Sequence, residues 1–310
     1  MTLVDVSKKS NRLGSLLLLA ATVTLGILFS GEMSKYVSEG LVLAVRCVIP
    51  SSFPFMIISD FYVNYGGREA PGRIGRAVCY ALGIPPCLLG AFVCGNVGGF
   101  PIGAKIASET YKKYGLDKRV VERVIPLSSN PSSAFIIGGV GLGMYKDVKV
   151  GAVLLIAVYS SMLLCAIITR GALSIFDFTS ENTRQKYNFV ASVKQSGSSC
   201  VTLIAFISAF SVAVGMVKNH VKSVYLSMPI ICVLEVTNAL KIFADFPAFD
   251  LSVRLMLSGF ALGFGGLSVM MQSYSFLEGS GLGIRKYLSI KLLQGLLCAS
   301  ISFLLYTLIR

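Results

Sequence analysis

A short run of small and polar residues, "GNVGGFPIGAK" at 95–105, interrupts an apolar segment. Its asparagine and lysine can donate hydrogen bonds to a ligand, and its four glycines permit backbone conformations that other residues resist. Unsatisfied backbone groups are costly in hydrocarbon, so a broken helix survives at membrane depth only where protein buries it or it lines a wet cavity. The run therefore predicts a substrate-binding site inside a membrane.

Similar polar positions recur along the chain. In "PLSSNPSSAFIIGGVGLG" (126–143) an asparagine and serines precede an apolar helix, and in "LSGFALGFGGLSVMMQSYS" (257–275) glycines interrupt another apolar run. "PIICVLEVTNALKIF" (229–243) places an acid and an amide inside an apolar stretch, where charged groups are expensive and usually face a bundle interior or cavity. The predicted substrate-binding residues are Asn96, Gly98, Gly99, Phe100, Pro101, Gly103, Lys105, Asn130, Ser132, Ser133, Glu235, Asn238, Gly265, Gly266, Ser268 and Gln272.

Several of these residues also have structural explanations. The glycines alone could serve close helix packing. Lys105 could extend to the cytoplasmic interface instead of contacting substrate. Glu235 could pair with a lysine, carry a coupling proton or sodium ion, or hydrogen-bond to a broken helix. The sequence leaves these alternatives open.

The sequence contains no catalytic signature. Its single histidine, His220, lies in a short connection, and it has no zinc-protease, Walker A or nucleophile-elbow motif. The eight cysteines lie in apolar stretches without a Cys-x-x-Cys pair, which is typical of small buried hydrophobic residues. We predict no enzymatic activity, no metal site and no cofactor other than a coupling proton or sodium ion.

The composition indicates a chain that is embedded in a lipid bilayer. The 310 residues are 54% hydrophobic and 14% charged, with a mean hydropathy of +0.74, whereas soluble domains are about 25% charged. The first apolar run has a longer core than a signal peptide and no clear cleavage site, so we interpret it as a true span. Apolar runs long enough to cross a bilayer occur at 13–29, 76–94, 148–168, 200–217 and 287–309.

The net charge of +13 comes from basic residues that cluster in short connections between apolar runs. This placement follows the rule that positively charged loops face the cytoplasm, so we expect no nucleic-acid partner. The segments 66–76, 112–123 and 170–198 are then cytoplasmic, as is the N-terminus.

The predicted fold class is an all-α polytopic membrane protein with roughly 8–10 membrane segments, including half-helices and re-entrant hairpins. Pro50 is expected to break a helix near Ile49, with a restart around Ser52. One membrane domain covers 1–310. It divides into a first repeat half at 1–170, a basic connecting loop at 171–198 and a second repeat half at 199–310. Broken segments in both halves are the pattern of a transporter that is built from inverted repeats.

The motifs together resemble those of a known family. "GGFPIGAKIASETYKKYGL", "LSSNPSSAFIIGGVGLGMY", "VLEVTNAL" and "FGGLSVMMQ", with the later "YLSIKLLQG", resemble the sporulation integral membrane proteins that carry a nucleoside-recognition (Gate) domain. The resemblance runs in order over about residues 35–309. The family usually has Ser-Gly-Tyr-Pro at 98–101, an Asn-Asn-Ser-Gly-Pro-like stretch at 129–133 and a histidine at Met270. These departures remove hydroxyl and imidazole groups and so bear on the substrate.

The resemblance implies a function. The family includes a stage V sporulation protein implicated in moving dipicolinate, and it is distantly similar to concentrative nucleoside transporters, which hold substrate near the membrane midplane. Dipicolinate is a planar aromatic dianion, and helix N-termini favour carboxylates. The resemblance thus implies a dipicolinate transporter in a bacterial cell membrane, with the outer forespore membrane as a candidate location and a homo-oligomer as a candidate assembly. A nucleoside transporter and a non-transporting sporulation scaffold are the alternatives.

Overall fold

The computed structural model describes residues 19–20, 23–24, 26–63, 72–170 and 187–309, and these residues are mostly helical. Most of the predicted first span, 13–29, lies outside them. Two π-helical segments occur at Ala44–Val48 and Phe135–Tyr145, and a 3-10 turn occurs at Pro86–Leu88. The α-helices in chain order are α1 (Ser30–Leu43), α2 (Ile49–Phe61), α3 (Arg73–Leu82), α4 (Leu89–Gly98), α5 (Ile102–Tyr114), α6 (Lys118–Leu127), α7 (Val148–Ile168), α8 (Phe189–His220), α9 (Val224–Leu234), α10 (Val236–Asp245), α11 (Leu251–Phe264), α12 (Gly266–Ser275) and α13 (Arg285–Ile309).

Long apolar helices confirm the predicted fold class of an all-helical, multi-pass membrane protein. Within the described residues, four helical stretches are long and apolar enough to cross a membrane: α7, α8, α11 together with α12, and α13. The run predicted as a span at 76–94 is not straight, because α3 and the segment containing α4 meet at 97°. Gly83, at a φ of 64°, and the prolines Pro85 and Pro86 explain this bend, since none of them continues a helix.

Short polar side chains set where several helices begin. Asp117 accepts a hydrogen bond from the backbone N–H of Arg119 at the start of α6. Asp147 does the same for Lys149 at α7, and Asn188 accepts from the N–H of Ala191 at α8. Each side chain satisfies a donor that a helix start leaves without an intrahelical partner.

Pro50 does not break the helix, which corrects the prediction of a stop near Ile49 and a restart at Ser52. The chain stays helical from α1 into α2 through the π-helical segment Ala44–Val48, where the N–H of Ile49 bonds to the carbonyl of Ala44. A π-helical turn is wider than an α-helical one, so the proline ring enters the helix without ending it.

A buried arginine joins the ends of two helices. The guanidinium of Arg123 on α6 donates to the carbonyls of Leu82 and Gly83 at the end of α3, at 2.7 and 2.8 Å. It also donates to the carbonyls of Ala166 and Thr169 at the end of α7, at 2.5 and 2.8 Å. A cation at two helix C-termini stabilises both macrodipoles and satisfies carbonyls that have no helical partner.

The later elements of the two parts of the chain follow a similar order. In the first, α4 breaks into α5, α6 breaks into the π-helical segment Phe135–Tyr145, and α7 follows. In the second, α9 breaks into α10, α11 breaks into α12, and α13 follows. Between them, the predicted connecting loop 171–198 is helical from Phe189 onward as the start of α8, and 171–186 lies outside the described residues.

Candidate functional site

The first predicted break is a close crossing of backbones. The chain leaves α4 at Gly99, with a φ of 86°, passes through a cis Phe100–Pro101 bond and enters α5. A Cβ on Gly95 or on Gly103 would lie 2.1 Å from the carbonyl oxygen of Ser128, at the end of α6. Only glycine therefore allows α4, α5 and the end of α6 to approach this closely.

Two of the predicted asparagines meet beside this crossing. The side-chain amide of Asn130 donates to Oδ1 of Asn96 at 2.8 Å and to the carbonyl of Leu127 at 3.0 Å. Asn96 in turn donates to the carbonyl of Phe92 at 2.6 Å, and Tyr159 donates to the Asn96 carbonyl at 2.9 Å. Asn96 also donates to the Leu127 carbonyl at 3.2 Å, so both asparagines satisfy a buried carbonyl at the end of α6.

The sequence-based prediction missed two members of this network, Lys291 and Gln294 on α13. The Lys291 ammonium donates to the carbonyl of Ser129 at 2.9 Å, to Oδ1 of Asn130 at 3.0 Å and to Oε1 of Gln294 at 2.8 Å. Gln294 also donates to Oδ1 of Asn130 at 2.7 Å. Lys291 is 1% exposed, and Gln294 and Asn130 are fully buried. We call Asn96, Asn130, Lys291 and Gln294 the break network.

Phe100 connects the break network to the second half of the chain. Its ring centroid lies 5.8 Å from the Lys291 ammonium, within the range of a cation–π contact. On the other side, a Cβ on Gly265 would lie 3.5 Å from the ring. The break at Gly99–Pro101 and the break between α11 and α12 are therefore neighbours.

The second half contains two breaks that face each other. Gly265 and Gly266 have φ values of 84° and 80°, and a Cβ on Gly266 would lie 3.3 Å from the backbone nitrogen of Glu235. The break at Glu235, between α9 and α10, was not predicted from the sequence. Gly263, which was expected to contribute to the interruption, lies inside α11.

The carboxylate of Glu235 is hydrogen-bonded to the first turn of α10. Its carboxylate accepts from the N–H groups of Thr237 and Asn238 at 2.9 and 2.7 Å, and from the Asn238 side chain at 2.9 Å. Lys218 of α8 donates to Oδ1 of Asn238 at 2.8 Å. Of the alternatives that the sequence left open, this geometry supports a structural hydrogen bond at a broken helix.

Lys105 is separate from the break network. Its ammonium pairs with the carboxylate of Asp60 on α2, lies 3.7 Å from Glu109 and donates to Ser59 Oγ and the Met56 carbonyl, each at 3.2 Å. With 1% exposure it does not extend to the interface, and its positive charge is already compensated. Asp60, which the sequence-based prediction missed, also accepts from Ser192 of α8 at 2.7 Å.

The remaining predicted residues lie near the breaks without entering the break network. Ser132 lies against Gly99. Its Oγ accepts a hydrogen bond from the backbone N–H of Phe135 at 3.3 Å and so caps the helical segment that begins at Ser133. Ser268 accepts from the buried Gln272 at 3.1 Å within α12. A Cβ on Gly98 would collide with Phe55 and Ile102, and Pro101 precedes α5 directly.

Two clefts lie beside other polar residues, and Lys291 is not among the residues that line either of them. The larger, about 480 Å³, lies beside the Lys105 ion pair, and its lining includes Asp60, Glu109, Lys112 and Gln195. The smaller, about 100 Å³, is lined in part by Asn238 and Lys218. All four side chains of the break network are buried, so the network is closed from solvent in this structure.

The chain is similar to a curated protein, the sporulation integral membrane protein YlbJ of Bacillus subtilis (strain 168). The two are 28% identical over 145 residues, which are 46% of this chain and 35% of YlbJ, so the chain spans about a third of the relative's length. No protein-family model and no solved structure match the chain. The likeness to YlbJ is consistent with an integral membrane protein of sporulation.

One sequence signal could have identified the missed residues of α13. Lys291 and Gln294 are polar residues three positions apart in the predicted span 287–309, so they share a helical face. Intramembrane polar residues usually face a bundle interior. Asp60 had no comparable signal in the sequence. It lies near the end of an apolar helix, where a charged residue at the membrane interface is common.

Proposed function

We propose that this chain is a transporter that moves a small anionic metabolite across a bacterial membrane and catalyses no reaction, with dipicolinate as the leading candidate. The observation that carries the proposal is the break network: interrupted helices meet there, and its one formally charged member is a buried lysine. Irregular backbone at membrane depth is typical of transporter substrate sites.

The helix starts at this place support an anionic substrate. Neither α5 nor α12 begins with a side-chain cap, so their first N–H groups have no side-chain acceptor. Such N–H groups and the positive end of the helix dipole favour carboxylates. The family resemblance supplies dipicolinate as the candidate, and the likeness to YlbJ supports a role in sporulation.

The similar order of the later elements supports the repeat architecture that we propose for 1–170 and 199–310. In each half two helix breaks precede a long apolar helix, α7 or α13. Inverted repeats place the substrate between such halves. The contact of Phe100 with the Gly265 break lies between the halves in this way.

A non-transporting scaffold is the second candidate, because the break network is closed and each of its members is hydrogen-bonded. Melting temperatures of the purified protein in detergent separate the two. A ligand that binds the folded state alone raises the melting temperature with concentration. We expect dipicolinate to do so, and nucleosides and simple aliphatic dicarboxylates to do so less. No stabilisation by any of them at millimolar concentrations would favour the scaffold.

A further inference from the structure

We infer that Lys291 is the group that binds the substrate's carboxylate and that Phe100 carries its aromatic ring, so that the site selects small aromatic carboxylates. The inference rests on the proposed transport function. Lys291 then has the substrate-binding role that the sequence-based prediction gave to Lys105.

Lys291 has no carboxylate counterion among the residues that the structure describes. Its three hydrogen-bond acceptors are a carbonyl and two amide oxygens, which are all neutral. Among the described residues, no Asp or Glu oxygen lies within 4.0 Å of its ammonium, although four such ion pairs occur elsewhere. A buried ammonium without an opposite charge is unfavourable, and neutral dipoles offset the cost only in part.

Lys105 provides the comparison within the same chain. Both lysines are 1% exposed, but Lys105 has Asp60 in contact and Glu109 at 3.7 Å. A carboxylate that reached Lys105 would have to displace an ion pair. One that reached Lys291 would replace neutral acceptors with a charge-assisted hydrogen bond, which is about twice as strong as a neutral one.

The surroundings of Lys291 define the rest of the ligand. Phe100, half-buried, lies 5.8 Å from the ammonium, so a planar ring stacked on its face would hold a carboxylate close to Lys291. The acceptors Ser129 and Asn130 belong to the non-helical segment between α6 and the π-helical segment. For a substrate to reach Lys291, this non-helical segment must move aside.

The test measures dissociation constants in detergent for pyridine-2,6-dicarboxylate, its uncharged dicarboxamide and the aliphatic glutarate. Wild-type protein should bind the dicarboxylate about ten- to hundredfold more tightly than the dicarboxamide, the range expected for hydrogen bonds to charged groups. This comparison needs no variant. Equal affinity for the two would overturn the inference.

Three variants assign the residues. Lys291→Gln keeps a donor and removes the charge, so it should lose the preference for the dicarboxylate, whereas Lys286→Met, at an exposed position of the same helix, should retain it. Phe100→Leu should bind the dicarboxylate and glutarate with similar affinity. Unchanged dicarboxylate binding by Lys291→Gln would overturn the inference and leave transport standing. Absence of binding by wild-type protein would instead refute the proposed function.

Discussion

At the scale of single residues, two buried lysines have opposite surroundings. Lys105 is neutralised by Asp60 and Glu109, and Lys291 is held by neutral oxygens. In the sequence, both lysines lie within or beside apolar stretches. Only the contacts made by α2 and by the 129–130 segment distinguish a lysine in an ion pair from a lysine whose hydrogen-bond acceptors are neutral.

The ion pair of Lys105 predicts a stability effect without a binding effect. Lys105→Met removes the ammonium that pairs with the buried Asp60 carboxylate, so unfolding should become easier by about 3–5 kcal/mol. The double variant Lys105→Met, Asp60→Leu should recover much of this loss, because it removes the buried carboxylate together with the ammonium. Melting temperatures measure both, and Lys112→Met on the exposed part of α5 is the control. A stable Lys105→Met variant that lost dicarboxylate binding would contradict this assignment.

At the scale of elements, the breaks are fixed by local backbone chemistry. The glycine and proline residues at 99–101 and the glycines at 265–266 predicted two breaks correctly. The break at Glu235 was missed because an acid in an apolar run suggested a functional charge, whereas it caps α10. The break expected at Pro50 is absent, and a π-helical turn precedes the proline instead. A helix can widen locally in this way and so admit a proline without ending.

The cap at Glu235 predicts a graded series. Glu235→Ala should lower the stability of the protein by about 1 kcal/mol, as loss of an N-cap does, and Glu235→Asp should retain most of it. Glu278→Ala, in an exposed turn, provides the control. Thermal unfolding in detergent measures the series. Capping alone would not explain the role of Glu235 if the Glu235→Gln variant kept the wild-type melting temperature but lost the pH dependence of transport.

The crossing of α5 over the end of α6 predicts that glycine is required at 103. Gly103→Ala should destabilise the protein by about 1–3 kcal/mol or more, because its Cβ would lie 2.1 Å from the Ser128 carbonyl. Gly197→Ala in α8, where no atom lies within 4 Å of the added Cβ, should be neutral or should stabilise the helix by up to about 1 kcal/mol. Melting temperatures compare the two variants. Equal effects would mean that close approach at Gly103 is not the cause.

At the scale of the whole molecule, composition and apolar runs predicted the fold class, while the site could be predicted only in part. Of the residues predicted from the sequence, Asn130 is hydrogen-bonded to Asn96, and Phe100 lies beside Lys291. Lys291, from the last helix, joins them through tertiary packing; the polar pair at 291 and 294 indicates the buried face of that helix but not the segment against which it packs. The bend between α3 and α4 arises at Gly83, Pro85 and Pro86, which a hydropathy profile does not report.

The most direct test of the account is uptake of labelled dipicolinate into liposomes that contain the purified protein. We expect uptake by the wild-type protein to saturate with concentration, uptake by Lys291→Gln to fall to the level of empty liposomes, and Lys286→Met to behave like the wild type. Uptake by the wild-type protein that never exceeds empty liposomes, for dipicolinate and for related anions, would contradict the claim that this chain is an anion transporter.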